Sequence, residues 1–217
     1  MNDSRSMPAG RLLPPRIVLA SASPRRRELL LQIGIESEVH PSHIDETAVR
    51  HDDPAMLAVR LAEAKARETA GMLGRWTLPI LAADTVVAVG DEILEKPTDR
   101  GDARRMLESL SGRTHRVVTG IAVVAPAEGL PRASTEGADG RPDLPMQSAF
   151  AESAVTFRRL STEEIVDYLD SREWEGVAGA YRIQGLAGRY VTDLRGSYSN
   201  VVGLPLHLVY SILTQYA

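Results

Sequence analysis

Ile17-Val18-Leu19-Ala20-Ser21-Ala22-Ser23-Pro24-Arg25-Arg26-Arg27 opens as an apolar run, passes two serines and a proline, and ends in three cations. The order reads as strand, tight turn, helix start. Ser23 is a good N-cap, since its hydroxyl can accept from a free backbone N–H, and Pro24 suits the first helical position, which needs no N–H. Glu28 to Ile33 continues the helix and Gly34 is placed to end it as a left-handed cap. Three cations in the first turn oppose the helix dipole at roughly 0.3–1 kcal/mol each. Something anionic suits that place: free N–H groups, two hydroxyls and forked guanidiniums make a phosphate cradle. The alternative is a solvated basic turn.

Working outward, the chain of 217 residues is long enough for one large domain or two lobes sharing a sheet. Its 43% hydrophobic and 25% charged content is that of a globular protein. A net charge of −4 argues against a general nucleic-acid binder, so stable nucleic-acid binding is not expected and any basic patch must be local. With no cysteine, disulfides, thiolate catalysis and Cys-based zinc sites are excluded, and the five histidines show no metal-type spacing. No signal-peptide core or membrane-length apolar run is visible, so a soluble cytoplasmic protein is expected.

Residues 1–15, with Pro8, Gly10, Pro14 and Pro15, read as a flexible leader before one domain over 16–217. Ile35 to His40 alternates like a half-buried strand, and the loop from Pro41 to Asp53 carries acids that are either solvated or able to hold a metal. Pro54 to Thr69 is rich in good helix formers; Lys65 there is a solvated lysine or one presented to a cleft between small neighbours. Pro79 to Val89 reads as a central strand with Asp84 in its middle. A buried carboxylate there needs a cation, a metal or a cleft. Gly90-Asp91 then turns the chain back, so that a two-residue loop sets Lys96 opposite Thr85 and near Asp84, where it can neutralise Asp84 or bind phosphate.

Asp99 to Leu110 reads as a helix ended by Gly112, Val117 to Val124 as a strand, and Arg113, His115 and Arg116 as a solvated basic connector. Residues 126–147, without periodicity, read as a surface insertion. Phe150 to Phe157 and Tyr190 to Leu194 suggest strands, and Ser161-Thr162-Glu163-Glu164 is a capping box for a helix to Leu169. Small residues from Ala178 to Gly188 would let backbone approach a ligand, and Gln184 there could read a base edge or bond, buried, to backbone. Leu206 to Tyr216 reads as a closing helix.

L-A-S-A-S-P-R-R at Leu19 to Arg26, A-A-D-T-V-V at Ala82 to Val87, L-E-K-P at Leu94 to Pro97, I-Q-G at Ile183 to Gly185 and G-S-Y-S-N-V-V-G-L-P at Gly196 to Pro205 together resemble the Maf family. Those are house-cleaning nucleoside triphosphate pyrophosphatases also linked to septum formation. The resemblance implies an α/β fold, a long mixed β-sheet flanked by helices in two lobes with a nucleotide cleft, similar to the inosine triphosphatase architecture. It also implies hydrolysis between the α and β phosphates with Mg²⁺ or Mn²⁺, and suggests a homodimer. By the same resemblance Ser21, Ser23, Arg25 and Arg26 fall on the phosphate-binding signature. Glu46, Lys65, Asp84 and Lys96 fall on charged active-site positions, Asp84 as proton acceptor. Arg25, Thr85 and Gln184 resemble the branch acting on dTTP and UTP rather than that acting on 7-methyl-GTP. One position departs: the lysine often found before A-G-A-Y is Val177.

The expectation is therefore a nucleoside triphosphate pyrophosphatase in which Glu46 and Asp84 hold a divalent ion and Asp84 activates water. Arg25, Arg26, Lys65 and Lys96 would bind the triphosphate. The alternatives are a pyrophosphatase for 7-methyl-GTP or another modified nucleotide, and a regulator of septum formation that senses a nucleotide without turnover.

Overall fold

In a computed structural model, residues 12–126 and 144–216 are described. The opening stretch forms β1 (Arg16–Leu19) and α1 (Pro24–Gln32), and Gly34 takes the left-handed conformation at φ +77° that lets the chain leave the helix. β2 (Glu36–Val39) returns parallel to β1, as short crossovers through a helix require. A long helix, α2 (Pro54–Leu73), follows, one turn longer than its composition predicts. Asp53 caps it by accepting from Ala55 and Met56.

β3 (Ile80–Val89) is buried along nearly its whole length, which is why it reads as an unbroken apolar run. The hairpin to β4 (Glu92–Leu94) has the expected two-residue loop, with Val89 opposite Glu92 and Val87 opposite Leu94. Then come α3 (Arg100–Leu110), β5 (Thr114–Val124), β6 (Met146–Phe157), α4 (Thr162–Asp170), β7 (Val191–Arg195), α5 (Tyr198–Val202) and α6 (Leu206–Leu213). The described strands form one mixed sheet of seven, in the order β2-β1-β3-β5-β6-β7, with β4 beside β3. This is the α/β sheet expected of the sequence.

Helices cover both faces. On one face α2 lays Ala62, Ala66 and Ala70 on Ile80 and Ala82, and Leu57, Ala58 and Leu61 near Val86 and Val118. The opposite face carries two separate cores. Leu29 and Leu30 of α1 with Val209 and Leu213 of α6 cover Leu81 and Ala83. Leu107, Leu110, Ile165 and Tyr168 from α3 and α4 cover Val87, Val89 and Val117. Between those two cores α5 covers β5, where the buried Thr119 donates to the Asn200 carbonyl, and beside it the face opens along β3 into a cleft that divides the sheet's cover into two lobes.

Three expectations shift. β5 begins at Thr114, three residues earlier than the apolar pattern, so His115 is not solvated; it is 1% exposed and its Nε2 lies 2.8 Å from the Tyr181 hydroxyl. β6 begins at Met146, paired with Val124, so the end of the expected insertion is strand, and residues 127–143 of it lie outside the described residues. Of the expected leader, residues 1–11 lie outside the described residues, while Pro14 is buried and Leu13 packs on the α1–α6 core.

Candidate active site

One edge of β3 pairs with β5 from Ile80 to Ala88. The other edge is shared: β1 holds Ile80 and Leu81 in parallel, β4 holds Val87 to Val89 antiparallel, and Ala82 to Val86 have no strand partner there among the described residues. Asp84 is the midpoint of that bare segment. Strand alternation points it, with Ala82 and Val86, toward α2. Its cross-strand partner is Gly120, where a Cβ would lie 2.4 Å from the carbonyl carbon of Ala58. The missing side chain lets α2 come down onto the sheet, and two turns further along Lys65 lies over Asp84.

Lys65 and Asp84 are 7% and 6% exposed, with Nζ 2.5 Å from Oδ1. Lys65 also reaches Glu46 Oε1 at 2.7 Å, and Glu46 Oε2 accepts from Lys96 at 2.6 Å. Glu46 is delivered by a 3₁₀ turn, Glu46–Ala48, that Asp45 caps. The result is an alternating chain, Asp84, Lys65, Glu46, Lys96, whose formal charges cancel. Burial pushes the Glu46 carboxyl up, but the hydrogen bonds and charges of Lys65 and Lys96 outweigh it and hold the group at about 2. The acid-and-base pair foreseen on adjacent strands is thus rearranged. Lys65, not Lys96, neutralises Asp84, because β4 ends at Leu94 and Lys96 turns out to Glu46 at the cleft mouth.

On the other side of β3, Thr85 faces α1. Arg26 donates from Nε to the Gly203 carbonyl at 2.8 Å, from one terminal nitrogen to Ser21 Oγ at 2.9 Å and from the other to Thr85 Oγ1 at 3.3 Å. Thr85 Oγ1 in turn lies 3.0 Å from Thr119 Oγ1. Three of the five guanidinium N–H groups are used in fixing the side chain, which leaves two for a ligand. Burial lowers the Arg26 pKa, against the raising effect of the Asp84 and Glu46 charges. Ser23 occupies the N-cap position of α1, but its hydroxyl does not cap the helix; its own N–H donates to Ser21 Oγ at 3.3 Å. The first-turn N–H groups therefore keep their capacity for an anion. Arg27 is exposed and stands outside the cleft lining.

The far wall is the loop from Gly176 to Gln184. Gly179, at φ +67°, has space for a Cβ only at 2.9 Å from Val87, and its N–H donates to the Glu95 carbonyl at 3.2 Å. Its smallness seats the loop on β3, so at this glycine the close approach expected for a ligand is made by the protein itself. Gln184 is exposed, not buried against backbone, and lies on the cavity lining. Val177 is buried in the same wall. Sequence reasoning passed over Arg182, which also lines the cavity; its signal was a cation inside the small-residue run.

All ten site residues named from the sequence, Ser21, Ser23, Arg25, Arg26, Glu46, Lys65, Asp84, Thr85, Lys96 and Gln184, line one cavity of about 430 Å³. Arg25 and Arg26 lie at the α1 side, and the two carboxylates lie at the α2 side together with Lys65 and Lys96. For a divalent ion the protein offers two carboxylates, and no cluster of three or more His, Cys, Asp or Glu occurs among the described residues. That set fits a hard cation that takes one or two carboxylates and completes its shell with phosphate oxygens and water. Asp84 Oδ2 makes no hydrogen bond among the described residues, since Lys65 occupies Oδ1.

Residues 16–216 match the family described as Maf-like protein. The chain is 50% identical over 192 residues to the dTTP/UTP pyrophosphatase of Paramagnetospirillum magneticum, covering 88% of this chain and 91% of that protein. It is 46% identical over 202 residues to the dTTP/UTP pyrophosphatase of Caulobacter vibrioides, covering 92% and 95%. Among solved structures it aligns with the Staphylococcus aureus Ham1 protein at 14% identity and a TM-score of 0.46, over 93% of this chain and 100% of that one. With a match from the first strand to the last helix and identity near one half, the chain belongs to the Maf family.

Proposed function

We propose that this protein is a nucleoside triphosphate pyrophosphatase that hydrolyses dTTP and UTP between the α and β phosphates, clearing them from the nucleotide pool as monophosphate and pyrophosphate. The observation that carries this is the convergence of a buried Asp84–Lys65 pair with Arg25 and Arg26 in one cleft. The relatives at 46–50% identity that bear the name dTTP/UTP pyrophosphatase support the substrate.

Water enters opposite the leaving pyrophosphate, and Asp84 accepts its proton as it attacks the α-phosphorus. Lys65 holds Asp84 in place while presenting positive charge to the α-phosphate. Arg26, already fixed by Ser21, Thr85 and Gly203, and Arg25 beside it bind phosphate oxygens and stabilise the charge that grows on pyrophosphate as the P–O bond breaks. Lys96 guards the mouth. Glu46 and Asp84 would hold Mg²⁺ or Mn²⁺, which when bound lowers the pKa of water and neutralises phosphate charge. Gln184, an exposed lining residue with a donor and an acceptor, would read the pyrimidine edge. Among the described residues no helix is long and apolar enough to cross a membrane, and we assign the activity to the cytoplasm, where free nucleotides are.

The test is incubation of the purified protein with dTTP, UTP, CTP and 7-methyl-GTP plus Mg²⁺, with products separated by ion exchange. Monophosphate and pyrophosphate from dTTP and UTP are expected. Orthophosphate without pyrophosphate would sink the reaction, faster turnover of 7-methyl-GTP would move the substrate, and tight binding without turnover would make the protein a sensor.

A further inference from the structure

Most cations in the cleft are matched by the protein itself. Lys65 has Asp84 and Glu46, Lys96 has Glu46, and Arg26 has three oxygens. Arg25 and Arg182 are different. Arg25 comes from α1 in one lobe and Arg182 from the Gly176–Gln184 loop of the other, both line the cavity, and neither forms an ion pair among the described residues. They are near enough to repel: after burial itself, the charge of Arg182 is the largest influence lowering the Arg25 pKa.

Arg182 is nonetheless held in place. Its backbone N–H donates to the Tyr168 hydroxyl at 3.1 Å and one terminal nitrogen donates to the Glu175 carbonyl at 3.1 Å. Its Nε is buried and has no hydrogen-bond partner. A buried donor left unmade is costly, and two guanidiniums lining one cleft add to that cost, since the carboxylate acting on Arg25, Glu28, lies outside the cavity lining. A polyanion lying between the lobes removes the repulsion between the two guanidiniums, and the terminal N–H groups of Arg182 not taken by the Glu175 carbonyl are the donors it would meet.

Asp84 must address the α-phosphorus, so the uncompensated charge beyond it remains for the β and γ phosphates. The geometry points to Arg182 as a further substrate-binding residue, which closes on the pyrophosphate end of the triphosphate from the second lobe while Arg25 holds it from the first. This rests on the function proposed above.

The experiment is calorimetric titration of wild type, Arg182→Ala and Arg182→Lys with inorganic pyrophosphate and with dTMP, each in Mg²⁺, alongside dTTP kinetics. A hydrogen-bonded charge contact corresponds to a loss of roughly ten- to a hundredfold in pyrophosphate affinity in Arg182→Ala. A smaller loss is expected in Arg182→Lys, which keeps the charge but not the fork, with dTMP affinity within about twofold by the same arithmetic. KM for dTTP should rise more than kcat falls. Thermal melts of the free proteins guard against misfolding, and Arg182→Gln replaces the alanine variant if that one melts early. Unchanged pyrophosphate affinity, no pyrophosphate binding by wild type, or an equal loss for dTMP overturns the assignment. A wild type that turns over no triphosphate but shows the expected pyrophosphate pattern would remove the proposed function and leave the anion clamp standing. Normal dTTP turnover with pyrophosphate affinity unaltered would remove only Arg182.

Discussion

Asp84 and Lys65 are the charged side chains buried among the described residues, and under the proposed function their pairing serves the chemistry rather than stability. Breaking one half of such a pair leaves an uncompensated charge and costs about 3–5 kcal/mol, whereas replacing both halves with apolar residues is often neutral. Lys65→Met alone should therefore lower stability by about that amount in urea unfolding. Lys65→Met with Asp84→Leu should recover most of the loss yet remain inactive. If the double variant stays as unstable as the single one, the pair is structural. Asp84→Asn keeps the shape and should cut kcat by roughly 10²–10⁴-fold, the usual worth of a positioned general base. Full activity in a folded Asp84→Asn protein would mean that another group takes the proton. Gln184 is the opposite case: exposed, it should tolerate alanine within about 0.5 kcal/mol in unfolding, while the ratio of kcat/KM for UTP over CTP shifts.

At the scale of elements, the approach of α2 to β5 sets the site. Gly120→Ala forces a methyl against the Ala58 backbone, an overpacking that costs about 1–3 kcal/mol, and the helix shift should drop turnover as well. Equal activity with unchanged melting would mean that α2 has room to spare. Here the sequence is informative but incomplete. Strand β3, the α1 start and the capping box of α4 were legible because each is local: an apolar run, a Ser-Pro step, a reciprocal side-chain cap. The partner of Asp84 was not, since it depends on where β4 stops pairing and how α2 lies on the sheet. A signal for Lys65 existed: it falls on the buried stripe with Ala58, Leu61, Ala62, Ala66 and Thr69, so a charge there needed a partner. His115 was misread because polar residues around it hid the true start of β5. Val87 explains the small Gly179, which no reading of the loop alone could supply.

For the whole molecule, acid should act in two stages. Burial holds the His115 imidazole down at about 4 against 6.5 in the unfolded chain, so folding favours its neutral form. The stability it contributes is complete above pH 6.5 and is lost as pH falls from 6.5 to 4, by up to about 3 kcal/mol. Glu46 behaves as a depressed carboxyl: its contribution is present above its unfolded value of 4.5 and disappears as pH falls toward 2. Urea midpoints between pH 7 and 4 should slope downward in wild type and flatten in His115→Asn; parallel slopes would exclude His115 as the cause. The bare segment of β3 has one more consequence. Its length and parity are fixed by the strand itself, about 3.3 Å per residue with sides alternating. Deleting one residue between Leu81 and Val87 would turn Asp84 away from Lys65, or Val87 away from its core, and no loop adjustment could correct it. Only changes by residue pairs would keep the sides, each altering the gap by roughly 7 Å, so the distance between β1 and β4 can change only in steps too coarse to fine-tune the cleft.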